Sequence, residues 1–210
     1  MDAIVRDRTL VGVADTDLEA VKPSREEAMA AVRTLIAWAG DNPLREGVID
    51  TPARVVDAFG DWFQGYGQDP AKELSRTFED VQGYDDIVML REMEVESHCE
   101  HHMAPFLGKA YIAYMPTNRV VGISKLARVV EIFAKRLQTQ ETMTQQIADA
   151  ITDSLKPAGV AVLIDAAHQC MTTRGVHHRH VTTITTQFTG VFKTDKDLQR
   201  RFLDFCNRPK

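Results

Sequence analysis

The sequence has little cysteine and no long apolar run. Three of its 210 residues are cysteine, none in a C-x-x-C pair, and no apolar run approaches the roughly 18 residues that span a bilayer. We therefore expect neither a disulfide-stapled secreted domain nor a membrane protein. The net charge of -5 argues against general binding of nucleic acid. With 44% hydrophobic residues, the chain is predicted to bury one sizeable core, and the few cysteines and lack of long apolar runs predict a cytoplasmic protein.

Two short segments contain the side chains that zinc prefers as ligands, Cys99-Glu100-His101-His102 and His168-Gln169-Cys170. We predict that Cys99, His102 and Cys170 bind one metal ion, because Cys99 and His102 are three residues apart and can bind from a single turn. Two cysteines and one histidine leave a fourth tetrahedral position for water, which is typical of a catalytic zinc site. The pattern therefore predicts a zinc-dependent hydrolytic enzyme.

The second segment also predicts a proton-transfer group beside the metal. A strand from about Val160 to Met171 would place His168 and Cys170 on one face, since side chains alternate along a strand. That arrangement suits one ligand and one acid or base. Two other interpretations stay open, a closed structural site with His101 or His168 as fourth ligand and a redox disulfide between Cys99 and Cys170.

The apolar periodicity predicts an α+β fold. Residues 1–23 are expected to form a mobile polar tail, residues 24–80 an N-terminal helical region, and residues 81–210 the catalytic domain with a C-terminal helix. The domain pattern reads strand, strand, helix, helix, strand, strand, which predicts an antiparallel four-stranded sheet with two helices on one face. Its open edges favour association of subunits edge to edge. The predicted strands are Ile87–Glu96, Lys109–Met115, Val160–Ala167 and Thr182–Phe192, and the two helices begin at Ser124 and Thr139.

Basic residues near the start of the first of these two helices predict phosphate contacts. Ser124 and Lys125 lie at the helix N-terminus, where free N–H groups and the helix dipole favour an anion, and Arg128 follows one turn later. Arg174, four residues beyond Cys170, would place a bidentate anion clamp near the metal. The alternative is an ordinary N-cap flanked by solvated cations.

Glu141 lies in the first turn of the second helix. A carboxylate is favourable there because it interacts with the positive end of the helix dipole. A carboxylate can also accept two hydrogen bonds from adjacent N–H donors, which the Watson–Crick edge of guanine offers and that of adenine does not. Both interpretations of Glu141 stay open on the residues alone.

On these motifs the chain resembles the GTP cyclohydrolase I family. The likeness runs from about Ser24 to the C-terminus and rests on several motifs in the family's order, which are SHCEHHMAPF at 97–106, VGISKLAR at 121–128, QE at 140–141, and HQCM at 168–171 with RGV at 174–176. The resemblance implies conversion of GTP and water to 7,8-dihydroneopterin triphosphate and formate, the entry step to folate or other pterins. It also implies the tunnelling fold and a toroidal homodecamer with active sites at subunit boundaries.

The resemblance further implies roles for individual residues. It assigns zinc to Cys99, His102 and Cys170, proton transfer to His101 and His168, a place near the ribose to Ser124, the guanine to Gln140 and Glu141, and the triphosphate to Lys125, Arg128 and Arg174. The stretch 177–180 departs from the family pattern and receives no role.

The main alternative to this function is a related cyclohydrolase that uses another metal or stops at a formylated or ring-opened intermediate. A regulatory pterin- or nucleotide-binding module and a nitrile-reducing enzyme of the same fold are further alternatives.

Overall fold

The structure is a computed structural model that describes residues 22–78 and 84–208. By its backbone contacts the chain divides into two compact units, Met1–Asp57 and Ala58–Lys210. The predicted tail, residues 1–23, lies almost wholly outside the described residues, and the predicted boundary at residue 80 falls inside the undescribed stretch 79–83. The three-part division of the chain therefore stays a prediction. Among the described residues no helix is long and apolar enough to cross a bilayer.

The first unit is built around helix α1 (Arg25–Trp38) and contains the beginning of α2 (Thr51–Trp62). The N-terminus of α1 carries a capping box, in which Ser24 Oγ accepts from Glu27 N at 3.2 Å and Glu27 Oε2 accepts from Ser24 N at 2.8 Å. The sequence predicted an end near residues 42–43, but α1 ends at Trp38. The reason is Gly40, whose φ of 98° is open to glycine and closes the helix after its last turn.

The second unit contains a mixed set of helices and strands around one main sheet. The sheet has five strands in the order β5-β2-β3-β6-β7, while β1 and β4 pair separately. The elements that follow α2 are a 3-10 turn at Gln64–Gly67, α3 (Pro70–Leu74), β1 (Thr77–Phe78), β2 (Val88–Cys99), β3 (Pro105–Met115), β4 (Val120–Val121), α4 (Ile123–Ala134), β5 (Leu137–Gln138), α5 (Gln140–Leu155), β6 (Gly159–His168), α6 (Gln169–Thr172), β7 (Thr183–Phe188), α7 (Val191–Thr194) and α8 (Lys196–Cys206).

The predicted order of strands and helices is confirmed. Strands β2, β3, β6 and β7 pair antiparallel in that order, and α4 and α5 lie between β3 and β6 in the chain. The sheet differs from the predicted four strands by the short β5, which pairs parallel with the end of β2 through His98↔Leu137 and Cys99↔Gln138. This fifth strand follows the C-terminal end of α4 in the chain and pairs with the end of β2, where the predicted metal ligand Cys99 lies.

Two apolar clusters cover the two faces of the sheet. One cluster contains the buried sides of α4 and α5, including the predicted stripe of Leu126, Val129, Val130 and Phe133. The other cluster contains Phe202 of α8, with further residues of α7 and the sheet. Burial on both faces explains why the interior strand β6 is apolar along almost its whole length.

The ends of two strands differ from the prediction. Strand β6 stops at His168, which pairs with Phe106, and the chain then turns into α6, whose helical turn closes with Thr173 N donating to Gln169 O at 3.0 Å. Strand β6 thus ends one residue beyond the predicted Ala167, the longer strand to about residue 171 does not form, and His168 and Cys170 do not share a strand face. Strand β7 likewise stops at Phe188 rather than at residue 192, since Gly190 (φ 51°) turns the chain into α7.

Candidate metal centre and its cavity

Three segments of the chain meet at one end of the main sheet. Strand β2 ends at Cys99, strand β6 ends at His168 and leads into α6 with Cys170, and helix α5 begins at Gln140 directly after β5. The pairing of β3 with both β2 and β6 brings the ends of these strands together, although they are about 70 residues apart in the chain. The sheet topology thus builds the candidate site.

The turn between β2 and β3 is held by its own backbone. Cys99 N donates to Ala104 O at 2.8 Å, and the N–H groups of His102 and Met103 donate back to Cys99 O at 3.3 and 2.8 Å. Met103 has a φ of 53°, which is uncommon for a residue with a side chain. These contacts fix the relative positions of Cys99 and His102.

Among the described residues, one group of side chains could hold a metal ion. The Sγ atoms of Cys99 and Cys170 and a ring nitrogen of His102 all lie within 4.8 Å of one another. A tetrahedral zinc with Zn–S of about 2.3 Å and Zn–N of about 2.0 Å needs such atoms roughly 3.6–3.8 Å apart. The ligand atoms therefore lie within about 1 Å of the separation that zinc needs, and the donor set of two thiols and one imidazole fits this metal.

The two thiols affect each other. Burial and the neighbouring Cys99 thiol raise the pKa of Cys170, while the positive charge of Arg174 opposes this rise. Cys99 is buried and Cys170 is half-buried. Since a second negative charge beside a buried thiolate is unfavourable, a bound cation would stabilise both thiolates at once.

His168 is held on two sides. Its Nε2 lies 2.8 Å from Oε1 of Gln140, and its ring stacks on Phe106 with centroids 4.6 Å apart and planes at 8°. Burial lowers the pKa of His168, and the carboxylate of Glu141 acts in the opposite direction. Sequence reasoning missed Phe106 because the predicted strand began at Lys109, so the pairing of Phe106 with His168 is visible only in the structure.

These side chains surround one cavity of about 230 Å³. Most of the residues predicted from the sequence line it, and Glu141 contributes the carboxylate at its wall. The lining residues are Cys99, His101, His102, Gln138, Thr139, Gln140, Glu141, His168, Cys170, Met171 and Thr183.

The predicted phosphate contacts Ser124, Lys125 and Arg128 do not line this cavity. They lie at the N-terminal end of α4, whereas the C-terminal end of that helix leads through β5 to Cys99. A helix of 12 residues is about 18 Å long, so the cations are well separated from the metal ligands along this element. Arg174, in the exposed stretch after α6, does not line the cavity either.

Lys125 and Arg128 both pair with one carboxylate that sequence reasoning missed. Glu73 Oε2 lies 2.7 Å from Lys125 Nζ and 3.3 Å from Arg128 Nη1. The hydrogen bond from Lys125 lowers the pKa of Glu73, with a further contribution from Arg128. No sequence signal indicated this contact, because Glu73 is about 50 residues from its partners and belongs to the short helix α3.

Residues 28–207 match the family of GTP cyclohydrolase I. The chain is 76% identical over 187 residues to GTP cyclohydrolase 1 of Hyphomonas neptunium, which covers 89% of this chain and 91% of that protein. It is 64% identical over 208 residues to GTP cyclohydrolase 1 of Maricaulis maris, which covers 99% and 100%. Among solved structures, the archaeosine synthase QueF-like in the apo form has a TM-score of 0.43 at 16% identity, over 51% of this chain and 96% of that one.

Proposed function

The chain belongs to the GTP cyclohydrolase I family, and we propose that Cys99, His102 and Cys170 hold Zn²⁺ in its active site. It is an enzyme whose reaction opens the imidazole ring of GTP, releases C8 as formate and forms 7,8-dihydroneopterin triphosphate. The observation that carries the zinc proposal is the convergence of two Sγ atoms and one ring nitrogen within 4.8 Å. The predicted cytoplasmic location stays a prediction.

The metal and the two spare histidines have different tasks in this proposal. A Zn²⁺ ion held by Cys99, His102 and Cys170 would supply Lewis-acid chemistry, which can lower the pKa of water to about 7. C8 of guanine is a poor electrophile, and a proton from His168 to N7 makes it more reactive. His101, whose Nδ1 lies 3.6 Å from Cys99 Sγ, serves the later proton transfers. Ring opening, loss of formate, the Amadori-type shift of the ribose and ring closure each move protons.

An open site is favoured over a closed structural one by the set of ligand atoms that converge. The closed alternative needs His101 or His168 as a fourth ligand. The described group of converging ligand atoms contains neither His101 nor His168, so three protein ligands would leave room for water.

Recognition of the base falls to Glu141 in this proposal. It is exposed in the first turn of α5 and lies at the wall of the cavity beside His168. Its carboxylate can accept from N1–H and the 2-amino group of guanine. Gln140, the other predicted guanine contact, is 1% exposed and directs its amide into the protein, so that Glu141 is left as the acceptor for the base.

Contacts to the triphosphate need a second copy of the chain. Ser124, Lys125 and Arg128 lie at the far end of α4 from the metal ligands, and α4 is about 18 Å long. A cavity completed by the cations of a neighbouring subunit, with Arg174 at its rim, would bring the two halves together. The exposed edge strand β7, with Ile184 61% exposed, and the part of β2 not covered by β5 offer open edges for such an assembly. A toroidal homodecamer is the arrangement we propose.

The experiment that tests the proposed function is incubation of the purified protein with GTP, followed by identification of every product. We expect formate and, after oxidation and dephosphorylation, fluorescent neopterin, together with about one zinc per chain by elemental analysis. A formylated or ring-opened product without pterin would replace the proposal by the related cyclohydrolase. GTP binding without turnover would replace it by a regulatory module.

A further inference from the structure

We propose that Gln140 is a positioning residue for His168, which holds the imidazole with its hydrogen on Nε2 and leaves Nδ1 as the nitrogen that exchanges a proton with the substrate. This inference rests on the proposed function and adds to it an assignment of the reacting nitrogen. It also gives Gln140 a task other than contact with the guanine base.

The orientation of the Gln140 amide follows from its partners. Three oxygen atoms surround one end of it, since Nε2 lies 3.0 Å from Ile164 O, 2.8 Å from Thr183 O and 3.1 Å from Thr185 Oγ1. Two of these three atoms are backbone carbonyls, which only accept, so the group that faces them must be the amide NH₂. The amide oxygen is then at the other end, and it faces His168.

This orientation decides which nitrogen of His168 carries the hydrogen. Oε1 of Gln140 can only accept, and it lies 2.8 Å from His168 Nε2. Nε2 must therefore be protonated and donate, both in the neutral ring and in the charged one. Among the described residues Nδ1 has no protein partner, so this nitrogen is available to the substrate in the cavity that His168 lines. When the charged His168 acts as an acid, the proton on Nδ1 passes to N7 of guanine and leaves a neutral ring with its hydrogen on Nε2.

The surroundings of Gln140 make it a rigid support. It is 1% exposed at the start of α5, and its NH₂ group joins that helix to β6 and β7. Thr144 Oγ1 also donates to Gln140 O at 2.7 Å and lies 2.7 Å from Thr185 Oγ1. The ring of His168 is fixed in the second direction by Phe106, which stacks on it. One hydrogen bond and one stacked ring therefore define both the rotation of the imidazole and its plane.

The kinetic test separates positioning from substrate contact. Gln140→Met keeps the length of the side chain but removes the acceptor for His168 and the NH₂ group. We expect kcat to fall about 10- to 100-fold, the range known for partners that orient metal-binding imidazoles, with KM for GTP changed less than about threefold. A rise of KM with unchanged kcat would instead show that Gln140 contacts the base, and would overturn the inference.

Two further variants separate positioning from a purely structural role. Gln140→Glu loses the NH₂ group as Gln140→Met does, but it keeps an oxygen opposite His168 Nε2, so we expect kcat at least about tenfold above that of Gln140→Met. Thr185→Val removes one acceptor of the NH₂ group and leaves the contact with His168, so kcat should stay within about threefold of wild type. Equal losses of kcat in the three variants, in step with their thermal stability, would refute positioning.

A measurement on the wild-type protein needs no variant that folds poorly. Histidine labelled with ¹⁵N reports by NMR which ring nitrogen is protonated, and His168 is assigned as the resonance missing from His168→Asn. We expect the Nε2–H form in the neutral ring, and an Nδ1–H form would overturn the inference whatever the kinetics show. Failure of the wild-type protein to release formate from GTP would refute the proposed function but leave this result valid, so the two failures are distinguishable.

Discussion

Removal of Cys170 tests the metal site most directly. Zinc bound by four protein ligands in small domains contributes about 10–16 kcal/mol, so one ligand of the four accounts for roughly 2.5–4 kcal/mol, or about 10²- to 10³-fold in affinity. Cys170→Ala is therefore expected to lose bound zinc and GTP turnover together. The convergence of Cys99, His102 and Cys170 within 4.8 Å is the structural basis of this estimate.

The same substitution has a consequence for stability. A ligand present at about 1,000 times its Kd stabilises the folded state by about 4 kcal/mol, and in a chain of this size 1 kcal/mol corresponds to roughly 2–4 °C in Tm. We expect a chelator to lower the Tm of the wild-type protein by about 8–16 °C and to leave that of Cys170→Ala almost unchanged. The measurement is thermal unfolding with and without chelator, alongside elemental analysis and formate release.

Cys206→Ala is the matched control. Burial raises the pKa of Cys206 to about 11, and the residue packs in the cluster on the opposite face of the sheet. This variant should keep its zinc, its turnover and the chelator-dependent shift in Tm. One zinc per chain with near-normal turnover in Cys170→Ala would refute the assignment of the ligands, and so would loss of zinc in Cys206→Ala.

Three further substitutions give separate expectations. Glu141→Ala should lower kcat/KM for GTP about 10- to 150-fold with little effect on Tm, because an exposed carboxylate that accepts from guanine is lost; unchanged discrimination between GTP and ATP would contradict this role. Glu73→Gln should lower KM for GTP about two- to fivefold with kcat unchanged, because Lys125 and Arg128 become free for the triphosphate. A higher KM would show instead that Glu73 orients these two cations. Gly108→Ala should lower the free energy of unfolding by about 1–3 kcal/mol or more, since the new Cβ would lie 2.0 Å from the backbone oxygen of Asp165. Wild-type resistance of this variant to denaturant would show that β3 and β6 can move apart at this position.

The sequence predicted the candidate metal ligands and the order of the elements because these depend on local patterns. The spacing of Cys99 and His102 places both in one turn, and the period of apolar residues distinguishes β2 and β3 from α4 and α5. The local structure around Cys170 was not predicted, since a shared strand face with His168 was expected and Cys170 lies in the short helix α6. The local pattern does not show where β3 begins, and the start of β3 at Pro105 limits how far β6 can pair.

The contacts of Gln140 and Glu73 could not be read from the sequence in the same way. Both residues have an ordinary local explanation, at the start of α5 and within the short helix α3. Their partners are distant in the chain, and only the packing of α5 on β6 and β7, and of α3 beside α4, brings them into contact.

By itself the sequence determined the chemistry of this protein, because the kinds of side chain that bind zinc, accept from guanine and attract phosphate are properties of the residues and of their short-range spacing. The tertiary structure alone decided which of these groups share a cavity. Strand pairing brings Cys99, His168 and Cys170 to one end of the sheet, whereas the length of α4 keeps Lys125 and Arg128 away from that end. The physical reason is that strand register and helix length set the distances between residues far apart in the chain, and no local pattern contains them.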